Sequence, residues 1–199
     1  GNFDIAGLAL RAQQVITGDD AEQAKNLENL KPKLKGAALV VVGLGKDAAR
    51  IAILRRHLKL KVPMYVLPAA VRDGYLTRAK DAAASTRAPL PPLSVTAPHP
   101  PGDARGHLLA DFRSRYRKRW EVLPPGHAGY AYDALHLILG AIAGRGKVQS
   151  ATIRTAIENS KNFVGLGGTY HLGPNDHFGL PSDALIMAEV RAGRWQRVD

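Results

Sequence analysis

The chain has 199 residues, 45% of them hydrophobic, which is enough to form a buried core and excludes a disordered chain. The absence of cysteine excludes a disulfide scaffold, thiolate metal sites and cysteine catalysis. The formal net charge of +11 favours acidic partners, such as nucleic acid, anionic lipid or an anionic ligand. A solvated surface rich in arginine explains the same charge, and we expect no nucleic-acid partner.

The first half of the chain alternates predicted strands and helices. In chain order we predict a strand over 9–17, a helix from Asp19 or Asp20 to about Leu34, a strand over 37–43, a helix beginning at Asp47, a strand over 62–68 and a helix over 71–84. The run AALVVVG at 37–43 is continuously apolar, which is typical of a strand buried on both faces of a parallel sheet. This order predicts an α/β fold with a parallel, right-handed, doubly wound sheet.

The second half begins with a proline-rich stretch over 87–102, whose middle, LSVTAP, is expected to be extended and to pass between two lobes. Helices are predicted over 103–120, 128–144 and 150–159, with Ser150 as the cap of the last. Near the end, ALIMAEV and RWQRV flank a turn at residues 191–193 and predict a terminal hairpin.

The predicted helix within 126–145 is apolar on nearly every side, because Asp133 and His136 are its only polar interruptions. Such a helix must be buried on more than one side. Asp133 near its start and Gly144 and Gly146 at its end predict the caps of a soluble helix. The run is too short and too interrupted to span a membrane.

Three motifs point to chemistry only weakly. Gly43, Gly45 and Ala48 match the G-x-G-x-x-A spacing of a dinucleotide site, but no acidic residue ends the next strand to bind a ribose. The segment 112–120 combines five cations with three aromatic residues, and its spacing favours an aromatic stripe packed inward with cations outside. A turn region holds the polar residues His171, Asp176 and His177 without metal-ligand spacing. We expect no metal, no cofactor and no enzyme active site.

The order of these elements resembles the type I periplasmic solute-binding proteins of branched-chain amino-acid ABC transporters, the Leu/Ile/Val-binding family. The resemblance is carried by AEQAKNLENLKPKLKGAALVVVGLGKDAARIAILRRHLKLKVPMYV, LSVTAP, FRSRYRKRWEVLPPGHAGYAYDALHLILGAI and IRTAIENSKNFVGLGGTYHLGPNDHFGLPSDALIMAEVRAGRW. It implies a fold of two lobes in which residues 1–95 and 180–199 form most of the second lobe. Residues 96–179 would be the returning helices of the first lobe, most of which lies outside this sequence.

The resemblance also implies a function and a set of ligand-binding positions. Leu44 and Gly45 occupy positions where members of the family often place an aromatic ring against the bound amino acid. Ala69 and Ala70 occupy positions where an acidic residue of the family commonly binds the ammonium group of the ligand. Tyr130 is the remaining candidate for a side chain facing the ligand. We expect a periplasmic protein that binds an amino acid or an aromatic or aliphatic carboxylate and delivers it to an ABC permease. Alternatives are an assembly unit that self-associates through uncovered helices, and an NAD(P)-binding Rossmann-like domain.

Overall fold

The computed structural model describes residues 9–15, 17–72, 74–96, 104–143 and 149–198. The helices are α1 (Asp20–Leu30), α2 (Gly45–His57), α3 (Pro68–Arg72), α4 (Tyr75–Ala79), α5 (Ala104–Trp120), α6 (Gly126–Ile142) and α7 (Ser150–Glu158). The strands are β1 (Leu39–Val41), β2 (Met64–Val66), β3 (Thr86–Leu90), β4 (Phe163–Val164), β5 (Thr169–Tyr170), β6 (Ile186–Arg191) and β7 (Arg194–Arg197). Within the described ranges, no helix has the length and hydropathy needed to cross a membrane.

The chain divides into two compact units. Unit 1 comprises Gly1–Ala88 and Glu189–Arg194, and unit 2 comprises Pro89–Ala188 and Trp195–Asp199. A five-stranded sheet has the order β1-β2-β3-β6-β7, and a separate pair joins β4 to β5. The lobe division that the family resemblance implies, 1–95 with 180–199 against 96–179, stays a prediction.

Unit 1 contains the predicted parallel sheet. β1 pairs with β2 and β2 with β3, both parallel, so the α/β fold expected from the alternating pattern is confirmed. Met64 aligns with Thr86 and both are fully buried, and the Thr86 hydroxyl lies 2.7 Å from the Tyr75 hydroxyl of α4. Helices therefore cover this face of the sheet. The opposite face carries Val40, Tyr65 and Arg87, which are partners in the strand register.

The exposure of side chains on this opposite face shows that the prediction of burial on both sides for residues 37–43 is wrong. Val41 is buried, but Val40 and Val42 are 58% and 71% exposed. Since alternate strand residues point to opposite faces, the exposed valines share the face that the described helices leave open. An apolar run identifies a strand, but it does not reveal whether both of its faces are covered.

Two other predictions in unit 1 need correction. Residues 9–15 and 17 form no strand, and Leu10 and Val15 are exposed, so the strand expected over 9–17 is wrong where the structure describes it. The helix expected over 71–84 is instead split into α3, α4 and a 3₁₀ turn. Gly74 separates the two helices with a φ of +73°, a conformation that glycine adopts without strain.

The start of α1 follows the capping prediction. Asp19 is its N-cap and accepts a hydrogen bond from the Glu22 amide at 2.9 Å. The α-helix ends earlier than predicted, at Leu30, and a 3₁₀ turn continues to Leu34, because Pro32 has no amide hydrogen to continue the helical pattern.

Unit 2 is built around α5, α6 and the β4–β5 pair. Its buried cluster consists of Leu93, Leu109 and Leu166, with Phe112 and Tyr132 packed against it. In the proline-rich connection, the extended segment comes earlier in the chain than predicted. It is β3, which ends at Leu90, and a 3₁₀ turn follows at Pro92–Ser94. The expectation of an extended LSVTAP segment is therefore wrong over this turn, and residues 97–98 lie outside the described residues.

Helix α6 begins at Gly126 after Pro125, so Asp133 lies two turns inside the helix and is not its cap. Gly144 and Gly146 lie outside the described residues. Leu135 and Leu139 are 53% and 52% exposed, and Ile138 is exposed as well. The sequence predicted that such an apolar helix needs cover on several sides, whereas these three side chains of the helix are exposed.

The last two predicted elements are reproduced with a small shift. The N-cap of α7 is Gln149, so Ser150 is the first helical residue rather than the cap. The terminal hairpin is confirmed, since β6 and β7 are neighbours joined by Ala192 and Gly193.

Candidate functional site

Four of the predicted ligand-binding residues follow two neighbouring strands of unit 1. Leu44 and Gly45 come after β1, and Ala69 and Ala70 come after β2. Val41 and Val66 are register partners at the ends of these parallel strands, so both loops lie at the carboxyl edge of the sheet. This edge is where ligands bind in open α/β sheets.

The four positions differ in accessibility. Leu44 is the N-cap of α2 and its side chain is 51% exposed, whereas Gly45, the first residue of α2, is buried. Ala69 is exposed in α3, and Ala70 has no exposed surface. Leu44 and Ala69 are therefore the accessible side chains of this set, Leu44 the larger of the two, and the assignment of the set as a ligand site stays a prediction.

Asp47 is an acidic group at this edge, in the first turn of α2. A methyl group added at Gly43 would lie 3.4 Å from the Asp47 Cβ atom and 3.7 Å from its Oδ2 atom, so the Asp47 side chain lies beside the glycine turn. A carboxylate at this point repels phosphate, which weakens the dinucleotide interpretation of Gly43, Gly45 and Ala48.

Tyr130, the fifth predicted residue, belongs to unit 2 and lies next to a buried carboxylate. Asp133, one turn further along α6, is 1% exposed. Its Oδ1 atom accepts from the Leu166 amide at 2.7 Å, and its Oδ2 atom accepts from the Gly167 amide at 2.8 Å and the Tyr170 hydroxyl at 3.0 Å. These three donors compensate a carboxylate that burial would otherwise make costly. We call this group the Asp133 cluster.

The Asp133 cluster depends on glycine in the loop between β4 and β5. A Cβ atom at Gly165 would lie 2.5 Å from the Asp133 Cγ atom, and one at Gly167 would lie 2.6 Å from the Tyr130 Cε1 atom. The Tyr130 ring therefore packs directly on the loop backbone. Burial raises the pKa of Tyr130 and of Tyr170, and the negative charge of Asp133 raises both pKa values further.

The aromatic stripe predicted for residues 112–120 is present on α5. The ring centroids of Phe112 and Tyr116 are 5.8 Å apart, and those of Tyr116 and Trp120 are 6.4 Å apart. The expectation that the cations all face outward is wrong for Arg113. Its guanidinium is half-buried and donates to the carbonyls of Pro92, Leu93 and Val95 at 2.9, 3.1 and 2.9 Å.

Two polar residues of the turn at 171–177, Asp176 and His177, make side-chain hydrogen bonds. The Asp176 Oδ1 atom accepts from the amides of Phe178 and Gly179, at 3.0 and 2.9 Å. His177 lies 3.1 Å from the Glu158 carboxylate, at the end of α7. Over the ranges the structure describes, no group of three or more metal-binding side chains comes together.

No protein-family model matches the sequence, and no curated protein matches it. Solved structures do match. An extracellular ligand-binding receptor from Rhodopseudomonas palustris HaA2 superposes with a TM-score of 0.82 and 18% identity, over 96% of this chain and 55% of that one. A type 1 periplasmic binding protein from Bordetella pertussis Tohama I gives a TM-score of 0.65 and 21% identity, over 81% of this chain and 46% of that one.

The chain has the type I periplasmic-binding-protein fold. The leucine-binding protein LivK from Thermotoga maritima also shares it, with a TM-score of 0.69 and 18% identity over 94% of this chain and 49% of that one. The resemblance that the sequence suggested is confirmed at the level of the fold. The chain spans about half the length of the solved structures it matches.

Within this periplasmic-binding-protein fold, sequence reasoning missed the roles of Asp133, Asp47 and Arg113. Asp133 stood out as a polar interruption of an apolar helix, and such an interruption signals a buried partner as well as a cap. Nothing in the sequence pattern distinguishes Arg113 from the neighbouring cations of α5. Asp47 was expected to begin a helix, but α2 begins at Gly45, and Asp47 lies in its first turn beside the glycine turn.

Proposed function

We propose that the protein is a non-enzymatic, solute-binding protein of the periplasm. The observation that supports this is the superposition on the R. palustris extracellular ligand-binding receptor over 96% of the chain. The mechanism expected for this architecture is closure around a ligand, driven by the higher affinity of the closed state. The partner that would read the closed state is an ABC permease.

The ligand we propose is an amino acid or a small aromatic or aliphatic carboxylate, bound near Leu44, Gly45, Ala69, Ala70 and Tyr130. Leu44 offers an exposed apolar surface at the carboxyl edge of the sheet. No acidic residue follows β2 within Leu67–Ala70 to hold an ammonium group. Together with the net charge of +11, these features favour an apolar or anionic solute.

Calorimetry with leucine, isoleucine and benzoate, on the wild-type chain and two variants, tests this proposal. Asp and Asn are both good N-cap residues, so Leu44→Asp and Leu44→Asn differ mainly in charge at the start of α2. For an anionic solute, we expect affinity to be at least tenfold lower in Leu44→Asp than in Leu44→Asn. Tight binding of leucine with no binding of benzoate defeats the carboxylate assignment, and binding of none of the three defeats the solute-binding role.

A second candidate, an assembly unit that self-associates, is favoured by one observation: the exposed Leu135, Ile138 and Leu139 of α6. Exposed aliphatic faces of this kind mark interaction surfaces. Light scattering at micromolar concentration tests it, because a stable monomer excludes self-association. The NAD(P)-binding alternative predicts a thermal shift with NADH or NADPH, and with Asp47 beside the glycine turn we expect none.

A further inference from the structure

The last turn of α5 and the loop that leads to α6 carry exposed apolar side chains. Trp120, Val122 and Leu123 are 59%, 58% and 70% exposed. Isolated apolar residues on a surface are ordinary, but a contiguous group of large ones marks an interaction site. We call residues 117–123 the α5 tip.

Three cations adjoin these apolar side chains. Arg117, Lys118 and Arg119 lie in the last turn of α5, and all three are exposed. In the part of the chain that the structure describes, none of them forms a salt bridge. The Arg119 guanidinium carbon lies 5.5 Å from the centre of the Trp120 ring, so a cation and an aromatic ring share one surface.

A groove connects the cations to the loop. Its volume is about 550 Å³, and it is lined by Arg113, Ser114, Arg117, Lys118 and Leu123. The Arg113 guanidinium already donates to three backbone carbonyls, so Arg117 and Lys118 are the lining cations available to an anion. Leu123 places an apolar wall beside them. The groove therefore suits an anionic group that is attached to apolar surface.

The end of the helix explains part of this pattern. Cations in the last turn of a helix interact favourably with its C-terminal carbonyls. That effect accounts for the three cations, but it gives no reason for Val122 and Leu123 to be exposed beyond them. A lipid bilayer accounts for both features, because it presents anionic phosphates above an apolar interior, and tryptophan is enriched at that interface.

We propose that the α5 tip docks on an anionic lipid bilayer. Val122 and Leu123 would enter the boundary between headgroups and acyl chains, while the three cations bind lipid phosphates. The net charge of +11 supports attraction to such a surface. Docking of this kind needs neither a solute nor a permease, so it goes beyond the proposed function and stands independently of it.

Sedimentation of the 199-residue chain with vesicles tests the docking. The vesicles contain phosphatidylcholine alone or with about one third phosphatidylglycerol, at about 0.1 M and about 1 M salt, where the screening length is about 10 Å and about 3 Å. We expect binding to the anionic vesicles only, and about tenfold weaker binding at the higher salt.

Tryptophan fluorescence locates the contact. The chain has two tryptophans, and Trp195 is buried, so Trp120 is the one that a bilayer can reach. Transfer of an indole ring from water to the bilayer interface shifts its emission to shorter wavelength. We expect this shift on addition of anionic vesicles to the wild type, and we expect its loss in Trp120→Phe.

Charge variants separate the α5 tip from a general effect of net charge. Each cation close to an anionic bilayer strengthens binding about fivefold, so replacing all three tip cations by glutamine should weaken it about a hundredfold. The matched control makes the same replacement at three exposed lysines of unit 1, namely Lys31, Lys33 and Lys35. It removes the same charge and should weaken binding less than about fivefold.

Two further variants act on the loop. Val122→Ser with Leu123→Ser should weaken binding about tenfold, because less apolar surface enters the bilayer. Glu121 is an exposed acid within the α5 tip and opposes the lipid phosphates. Glu121→Gln should therefore strengthen binding about two- to fivefold, a gain that a misfolded variant would not produce.

Four results overturn the proposal. The first is equal binding to both kinds of vesicle, and the second is an equal loss in the tip and control charge variants. The third is displacement by inorganic phosphate at constant ionic strength, which would make the occupant of the groove a free anion. The fourth is unchanged binding in Val122→Ser with Leu123→Ser, which would indicate a site for an acidic macromolecule.

Discussion

Replacement of Asp133 by asparagine tests the structural argument most directly, because the change alters charge and hydrogen bonding without altering shape. The aspartate accepts three hydrogen bonds, from the Leu166 and Gly167 amides and the Tyr170 hydroxyl, at 2.7–3.0 Å. An asparagine keeps one acceptor oxygen and places an NH₂ group in the position of the other. If the oxygen continues to face Leu166, the Gly167 amide then faces a donor.

The size of the effect follows from these contacts. A hydrogen bond to a charged group contributes about 1.5–3 kcal/mol, and a buried donor without an acceptor costs about 1–3 kcal/mol. Removing a buried charge recovers part of this loss. We therefore expect Asp133→Asn to lower the free energy of unfolding by about 2.5 kcal/mol, and Asp133→Ala, which leaves three donors without an acceptor, by about 4 kcal/mol.

Urea denaturation followed by circular dichroism measures this loss. With an m-value of about 2 kcal/mol/M, the midpoint for Asp133→Asn should fall by about 1.2 M urea. Asp111→Asn is the matched control, because Asp111 is an exposed residue of α5 that pairs with Arg115 four residues on, and its midpoint should stay within about 0.3 M. A midpoint for Asp133→Asn equal to that of the control would refute the role assigned to the Asp133 cluster.

Three further predictions concern the same unit. Gly167→Ala should lower the free energy of unfolding by about 2 kcal/mol or more, since its methyl group would meet Tyr130 at 2.6 Å and Tyr170 at 2.7 Å. The control is Gly140→Ala in α6, where the added methyl group has nothing within 4 Å. It should raise the free energy of unfolding by about 0.5–1 kcal/mol in the same chemical denaturation. Arg113→Met should lower the unfolding free energy by about 2 kcal/mol through the loss of three hydrogen bonds to carbonyls. The control Arg117→Met, at an exposed position, should change the unfolding free energy by less than about 0.5 kcal/mol. Equal losses in the two variants would contradict the structural role of Arg113. Because the folded-state pKa of Tyr170 is raised above its ordinary value of 10.0, its contribution to stability is fully present below pH 10.0 and is lost as pH rises towards the folded value. The urea midpoint should therefore fall less between pH 9 and pH 11 in Tyr170→Phe than in the wild type. An identical fall in the two proteins would contradict the raised pKa of Tyr170.

The sequence predicted well those features that depend on local hydrophobic pattern. The alternating strands and helices of unit 1, the Asp19 cap and the terminal hairpin each follow from residues close together in the chain. The loops after β1 and β2, which carry Leu44 and Ala69, lie at one edge of the sheet, because parallel strands end at the same edge.

Other features could not be predicted because they depend on distant residues. The partners of Asp133 are amides 33 and 34 positions away, and no local pattern indicates that a loop will return to that helix. Likewise, the apolar run at 37–43 does not specify which layers cover it, so the exposure of Val42 depends on what packs there. The ligand-binding assignments rest on the family resemblance and remain predictions.

The Asp133 cluster has a consequence for how this sequence can diverge. Tyr130, Asp133, Gly165, Gly167 and Tyr170 constrain one another, because the carboxylate and the ring leave room only for hydrogen at the two glycines. Such mutual constraint should preserve the spacing of these five positions while the surrounding residues drift. A change at any one of these positions should therefore require a compensating change at another.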